Sequence, residues 1–337
     1  NGEQIQFDMN ARLYLNSIKP RLGDHPDEMI SKLDLELLYN KGDFFLYSKM
    51  FYFFAFVFFL CSLVSSRPIW HTLGFGFVIA GFVPHAVALM MRIAILNRPP
   101  VTNLYETFIF VGFVVVLLGL LIEFFNRNWL GIVTASVGGF ALLMIAAKYS
   151  AEGDTLKMLV AVLNSNFWLS THVISITVGY GSACAAGILG HVYLLQAIFK
   201  KGNAKILDST HKTLIGILGL ALALTFLGTN LGGIWADQSW GRFWGWDPKE
   251  NGALMIVLWS ALLFHCKISR LIGPIGFAVG AVLGMIVVMW AWFGVNLLSV
   301  GLHSYGFTSG IATALAVYVI CEVAFVLAAL LALKNKK

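Results

Sequence analysis

From residue 46 onward the chain alternates long apolar runs with short polar connections. The runs cover residues 46–66, 70–91, 105–125, 129–148, 172–199, 213–232, 252–269, 275–297 and 309–333. A helix of about 20 apolar residues crosses a ~30 Å hydrocarbon layer. In lipid, backbone amides and carbonyls must pair within their own segment, so each run predicts an α-helix. Residues 1–44 read differently: mixed polar, with a weak helical pattern interrupted by Pro20, Gly23 and Pro26. The pattern predicts an extramembrane lead-in over 1–44 and, over 45–337, an all-α polytopic transmembrane bundle of about nine spans.

Composition agrees with this reading. Of 337 residues, 58% are hydrophobic and only 12% charged, with a mean hydropathy of +0.80. That leaves too little polar surface for a water-soluble globule, and it excludes disordered, fibrous and disulfide-rich secreted classes. The net charge of +6 is unevenly placed. Residues 1–48 carry eight acids and five bases, and the remainder nine acids and 18 bases. Those 18 sit in short clusters between apolar runs, such as Lys200, Lys201, Lys205 and Lys212, which is the signature of bases retained on one membrane side and not of a nucleic-acid groove. Placing that cluster inside puts eleven bases in inside connections and six in the longer outside ones. An odd number of spans then predicts an outside N-terminus and a cytoplasmic C-terminus. The four cysteines fall inside apolar runs with no Cys-x-x-Cys, and they read as small buried hydrophobes. The chain opens on Asn with no signal-peptide pattern, so we expect a fragment, a trimmed piece or the later half of a longer polypeptide.

One connection is unlike the others. Residues 233–251 hold four of the ten tryptophans, Trp235, Trp240, Trp244 and Trp246, interleaved with Gly241 and Gly245. An interfacial aromatic belt places one or two rings per helix end and needs no glycines. Glycines between rings let a backbone approach a flat ligand while the rings stack around it. The pattern predicts a platform for a large planar aromatic molecule at the outer membrane surface.

The segment Trp240 to Glu250, Trp-Gly-x-x-Trp-x-Trp-Asp-Pro-Lys-Glu, resembles the WWD signature of haem-handling proteins in cytochrome c biogenesis. Asn97 to Glu106 and Gly294 to Gly306 resemble two further segments of the CcsA (ResC-like) component of system II, and the likeness covers most of residues 40–337. It departs at Asn251-Gly252, where that family more often has Thr and a bulky residue. The resemblance implies haem b, iron protoporphyrin IX, as a substrate and not a permanent cofactor. It also implies a CcsB-type membrane partner, separate or fused ahead of this module, and apocytochrome c with Cys-x-x-Cys-His as client. Thiol-reducing proteins outside the membrane would complete the set. The implied location is the bacterial inner membrane with the tryptophan connection facing the periplasm, or a thylakoid equivalent.

Haem iron takes one axial ligand on each face. His172 and His303 fall at the outer ends of spans on either side of the tryptophan connection, and we expect them to ligate the iron; the resemblance assigns them the same role. Arg242 or Lys249 could pair with haem propionates. Asp247 fits equally a helix cap or a ligand contact. His265, inside the seventh run, is implied by the resemblance to help hold haem within the membrane; the alternative is an interfacial histidine beside Lys267. His85, in the second run, stands evenly between an iron ligand and a core residue. His71 and His85 have near the spacing of a b-type cytochrome helix, but no second helix carries a matching pair. Glu322, in the last span, is either protonated and bonded to a neighbouring helix or part of a polar path. The resulting expectation is a holocytochrome c synthase activity, exercised with the CcsB-type partner. It works by positioning haem, with the cysteines supplied by the client. The alternative is an exporter or chaperone that carries haem without attaching it.

Overall fold

The computed structural model describes residues 2–18, 20, 26–150, 155–156, 165–199, 204–298, 300 and 310–335. Among them every regular element is helical: α1 Gly2–Ile18, α2 Pro26–Lys41, α3 Phe44–Val64, α4 Pro68–Leu96, α5 Leu104–Asn126, α6 Leu130–Ser150, α7 Asn166–Trp168, α8 Ile174–Phe199, α9 Ala204–Trp240, α10 Pro248–Ile268, α11 Pro274–Trp292 and α12 Ile311–Lys334. The lead-in thus folds as two helices, and the second ends two residues before α3 begins. Nine helical stretches among the described residues are long and apolar enough to cross a membrane.

Consecutive helices pack as hairpins, most extensively α3 with α4, α5 with α6, and α8 with α9. The helices α5, α6 and α8 form the interior, while α3, α10 and α12 lie outermost and present most of their apolar side chains outward. Packing by shape has to substitute for a hydrophobic drive when the solvent is itself apolar, so small residues line the contacts. On α8, a side chain at Gly187 would run into Met285 of α11, and one at Gly190 would meet the Ala278 carbonyl at 2.9 Å. The lipid-like exterior also explains the cysteines: only Cys184 is buried, and Cys321 is exposed on the outward face of α12. An apolar residue in this chain need not point inward.

Charges inside the bundle are paired. Arg92 and Glu106 are both fully buried, with Nη2 to Oε1 at 2.9 Å. Arg92 also donates to the Tyr39 hydroxyl and the Thr155 carbonyl, while Glu106 accepts from the Thr102 amide and hydroxyl. The Asn97 to Glu106 segment is therefore a knot joining α2, α4 and α5. Its Asn103 caps α5 by accepting from the Glu106 amide. At the other end of α5, buried Glu123 accepts from the amides of Trp129, Gly131 and Ile132 at the start of α6, and its Oε1 lies 2.6 Å from His71 Nε2. Glu322 is buried on α12 with Oε2 3.0 Å from His191 Nε2 on α8, so its carboxyl faces a histidine of a neighbouring helix.

Candidate functional site at one end of the bundle

The tryptophan segment is only partly a loop. Helix α9 is 37 residues long, ~55 Å at 1.5 Å per residue. That exceeds a ~30 Å hydrocarbon layer, so its ends project beyond it. The helix runs through Trp235 and stops at Trp240, because Gly241 takes the left-handed conformation (φ +68) and its amide closes back on the Asp237 carbonyl. The expected connection over 233–251 is thus a helical end followed by a short turn over 241–247.

His172 sits in a π-helical turn, Leu169–Val173, between α7 and α8. Turns of this kind insert one extra residue and often mark functional positions. Here it directs the ring at α9. His172 Nδ1 lies 2.7 Å from the Gly228 carbonyl, and a carbonyl can only accept. Nδ1 therefore donates, and this bond fixes the orientation of the ring against α9, as the second hydrogen bond of a metal-ligating imidazole commonly does. One turn on, Gly232 leaves the slot for the ring, since a Cβ there would stand 2.5 Å from His172 Cε1. Trp235 follows, edge-on to His172 at 5.8 Å between centroids. It stacks on Trp168 at 6.3 Å and 11°. Trp168 in turn donates its indole N–H to Gln238 Oε1 at 3.0 Å. The structure thus brings His172 and Trp235 together and adds Trp168, which sequence reasoning missed. The signal was present, because Trp168 is four residues before His172 and so on the same helical face.

The rest of the signature organises the start of α10. Asp247 is the N-cap in a capping box with Glu250, and Pro248 takes the first helical position. Glu250 Oε2 also accepts from the Gly245 and Asp247 amides. Those bonds hold the turn on both sides of Trp246, a non-glycine in the left-handed region (φ 57) and 71% exposed. Asn251 donates to the Trp246 carbonyl, and Gly252 lets α10 approach Ala291, whose Cα would lie 2.9 Å from a Cβ there. The departure from the family pattern at 251–252 thus serves the turn and a close helix contact. Trp244 stands edge-on to Trp246 at 6.1 Å, and Trp240 is half-buried at the end of α9.

Neither cation expected to pair with propionates is wholly exposed. Arg242 Nη1 is a buried donor 3.6 Å from Glu250 Oε1, and among the described residues it has no hydrogen-bond partner. Lys249 donates to the Trp292 carbonyl at 2.7 Å. An imidazole held by its Nδ1 beside stacked indoles fits a flat, metal-bearing molecule, and the neighbouring turn carries a cation, Arg242, whose Nη1 lies beside Glu250.

His303 lies outside the described residues, between α11 and α12. His265 is exposed in the last turn of α10, at the opposite end of that helix from the tryptophans. His85 stands apart from both: it is fully buried, with Nδ1 3.1 Å from the Tyr52 hydroxyl and Nε2 2.8 Å from the Ile109 carbonyl. Both of its ring nitrogens are engaged by the protein, so in this arrangement neither is available to iron.

Fold and site define an integral multi-pass membrane protein with an aromatic, histidine-bearing site at one end of its bundle. The family profile described as "Cytochrome C assembly protein" matches residues 101–303, more than half of the chain. NrfI of Wolinella succinogenes is 32% identical over 82% of this chain, although the chain spans only 31% of that protein's length. The CcsA proteins of Chlamydomonas reinhardtii and Amborella trichopoda are 33% and 26% identical over 62% and 68% of the chain, which covers 61% and 85% of them. A solved structure of "Cytochrome c Heme Lyase CcmF" has a TM-score of 0.64 over 88% of the chain and 51% of that protein, at 12% identity, a likeness of fold. The chain belongs to the cytochrome c assembly protein family, as a CcsA-type cytochrome c biogenesis protein.

Proposed function

We propose that the protein binds haem b as substrate at the tryptophan end of the bundle and presents it for covalent attachment to apocytochrome c. The observation that carries this reading is His172: its Nδ1 donates to the Gly228 carbonyl, and its ring is seated in the Gly232 slot beside the stacked Trp168 and Trp235. His303 supplies the second imidazole. Arg242, with a buried donor to spare, is the cation for a propionate. His265, at the far end of α10, receives haem as it enters from the membrane interior. His85 serves the core through Tyr52 and Ile109.

Catalysis on this reading is positioning. His172, His303 and the indoles hold the vinyl groups toward the client. The two thiols of its Cys-x-x-Cys-His segment then add across the vinyl double bonds, sulfur to one carbon and hydrogen to the other, while its histidine replaces a protein ligand. No general acid from this chain is required, and thiol-reducing proteins keep the client's cysteines reduced. A CcsB-type partner completes the synthase. The site faces the periplasm of the bacterial inner membrane, or the thylakoid lumen.

The test is the haem content and absorption spectrum of purified protein carrying His172→Ala or His303→Ala. Each is expected to lose the six-coordinate low-spin spectrum and most bound haem; unchanged retention and spectra in both would overturn the assignment. Coexpression with an apocytochrome separates synthase from carrier: haem that stays on the client through denaturing electrophoresis marks attachment, and bound but detachable haem marks a carrier.

A further inference from the structure

We infer that Gln238 is a positioning residue for the His172 side of the haem site: by accepting the Trp168 indole N–H it fixes the stack of Trp168 on Trp235 and, through Trp235, the orientation of the His172 imidazole. This rests on the reading of the site given above.

The residues concerned lie on two facing elements. Gly228, Gly232, Trp235 and Gln238 recur at intervals of four, three and three along α9, which puts them on one broad helical face. Opposite that face run α7 and the π-helical turn, with Trp168 and His172 four residues apart. Two side-chain hydrogen bonds join the elements: His172 Nδ1 to the Gly228 carbonyl at 2.7 Å, and Trp168 Nε1 to Gln238 Oε1 at 3.0 Å. Trp235 falls between the two bonds. Trp168 lies on its face, 11° from parallel at 6.3 Å, and His172 stands at its edge, 62° from parallel at 5.8 Å.

Trp168 is 8% exposed and Trp235 is half-buried, so Trp168 backs the stack while Trp235 forms its accessible side. An indole nitrogen can only donate, which obliges Gln238 to turn its amide oxygen toward Trp168. Stacking alone lets one ring slide and turn over the other; a directed N–H···O bond removes that freedom. Phe167, edge-on to Trp168 at 4.9 Å, and the Ser165 hydroxyl, which accepts the Trp168 amide, hold the same ring's backbone and flank. Gln238 itself is exposed in the last turn of α9, so replacing it leaves the core packing in place and removes the bond that orients Trp168. A ligating imidazole depends on the groups that fix its ring as well as on its own nitrogen. Here one such group is Trp235, and Gln238 acts on it from the far side of Trp168.

The experiment titrates the purified full chain with haem for wild type, Gln238→Leu, Gln238→Glu, Trp168→Phe and Gln238→Leu combined with Trp168→Phe. Each protein is also measured for its ferric low-spin g-values, which follow the plane of an axial imidazole, and for its thermal midpoint without haem. Gln238→Leu is expected to weaken haem binding about threefold to tenfold, the worth of one neutral hydrogen bond, and to shift the g-values. Gln238→Glu keeps an acceptor and the wild-type g-values. Trp168→Phe keeps a ring on Trp235 without the N–H and should reproduce both effects, and adding Gln238→Leu to it should change nothing further. Should Trp168→Phe not fold, the contrast between Gln238→Leu and Gln238→Glu carries the test. A further loss in the combined variant would overturn the inference in favour of direct contact between Gln238 and haem. A Gln238→Leu protein with a lowered thermal midpoint but wild-type affinity and g-values would overturn it in favour of a plain staple between α7 and α9. If wild type and His172→Ala bind haem alike, it is the functional reading that fails.

Discussion

Gly228 and Gly232 act on His172 in two ways: the first offers its carbonyl to Nδ1, and the second leaves room for the ring. Only the second can be changed by substitution. Gly232→Ala places a methyl against His172 Cε1, and overpacking of this kind costs about 1–3 kcal/mol, roughly ten- to a hundredfold in a ligand's affinity. We expect haem affinity to fall by that much with the histidine still present, measured by haem titration. Gly216→Ala on the same helix, where nothing lies within 4 Å, is expected to change nothing. Arg92 and Glu106 invite a second test, because removing one member of a buried pair strands the other and costs about 3–5 kcal/mol. Glu106→Gln should lower the thermal midpoint in detergent. A double change, Arg92→Met with Glu106→Leu, should cost less than the two single changes summed. At this scale the sequence was legible where chemistry is rare, as with histidines and tryptophans in apolar surroundings. It was mute about partners across the bundle: Glu106 was quoted as part of a motif, yet its bond to Arg92 exists only because α4 and α5 return to the same end.

Helix boundaries were read less well than helix existence, for a physical reason. Apolar runs report where lipid is, whereas a helix ends where its backbone is capped. Thus the sixth run stops at residue 232, but α9 continues to Trp240, where Gly241 can turn the chain. The eighth run extends to 297, but α11 stops at Trp292 and passes into a 3-10 turn. Asp247, for which the sequence allows a cap or a ligand contact, caps α10 in a capping box. The element-scale prediction follows from that box. Glu250→Ala removes the acceptor for the Gly245 and Asp247 amides and half of the box, a loss of about 1–2 kcal/mol at the start of α10. Hydrogen exchange at residues 245–250 should accelerate, with α9 up to Trp235 unaffected. Protection unchanged at 245–250 would show that the turn is held by its aromatic contacts instead.

For the whole molecule, the hairpin order of the nine candidate spans among the described residues brings 97–103, Asn166, 241–247 and Trp292 to one end, and hydrogen bonds tie that end together. Asn166 donates to the Asn97 carbonyl, Trp168 to Gln238, and Lys249 to Trp292. At the other end Asn126 donates to Thr213 and Asn128 to Ser209, joining the exit of α5 to the start of α9. Which end faces the cytoplasm is then a question of charge. By sequence, the connections alternating with the tryptophan side carry eleven of the bases counted beside spans, against six on the tryptophan side. Retention of lysine and arginine on the cytoplasmic side predicts that the tryptophan end faces outward. Two exposed serines mark the ends, Ser239 in the last turn of α9 and Ser269 just after α10. In a chain lacking its four native cysteines, Ser239→Cys should react with an impermeant maleimide on intact cells or right-side-out vesicles. Ser269→Cys should react only after lysis. The reverse result would place the haem site in the cytoplasm, where no apocytochrome exported for assembly could reach it. It would thereby remove the attachment step from the proposed function while leaving His172, Trp168 and Trp235 as a binding site. Sidedness is therefore the property of the whole molecule on which the chemistry of the site depends.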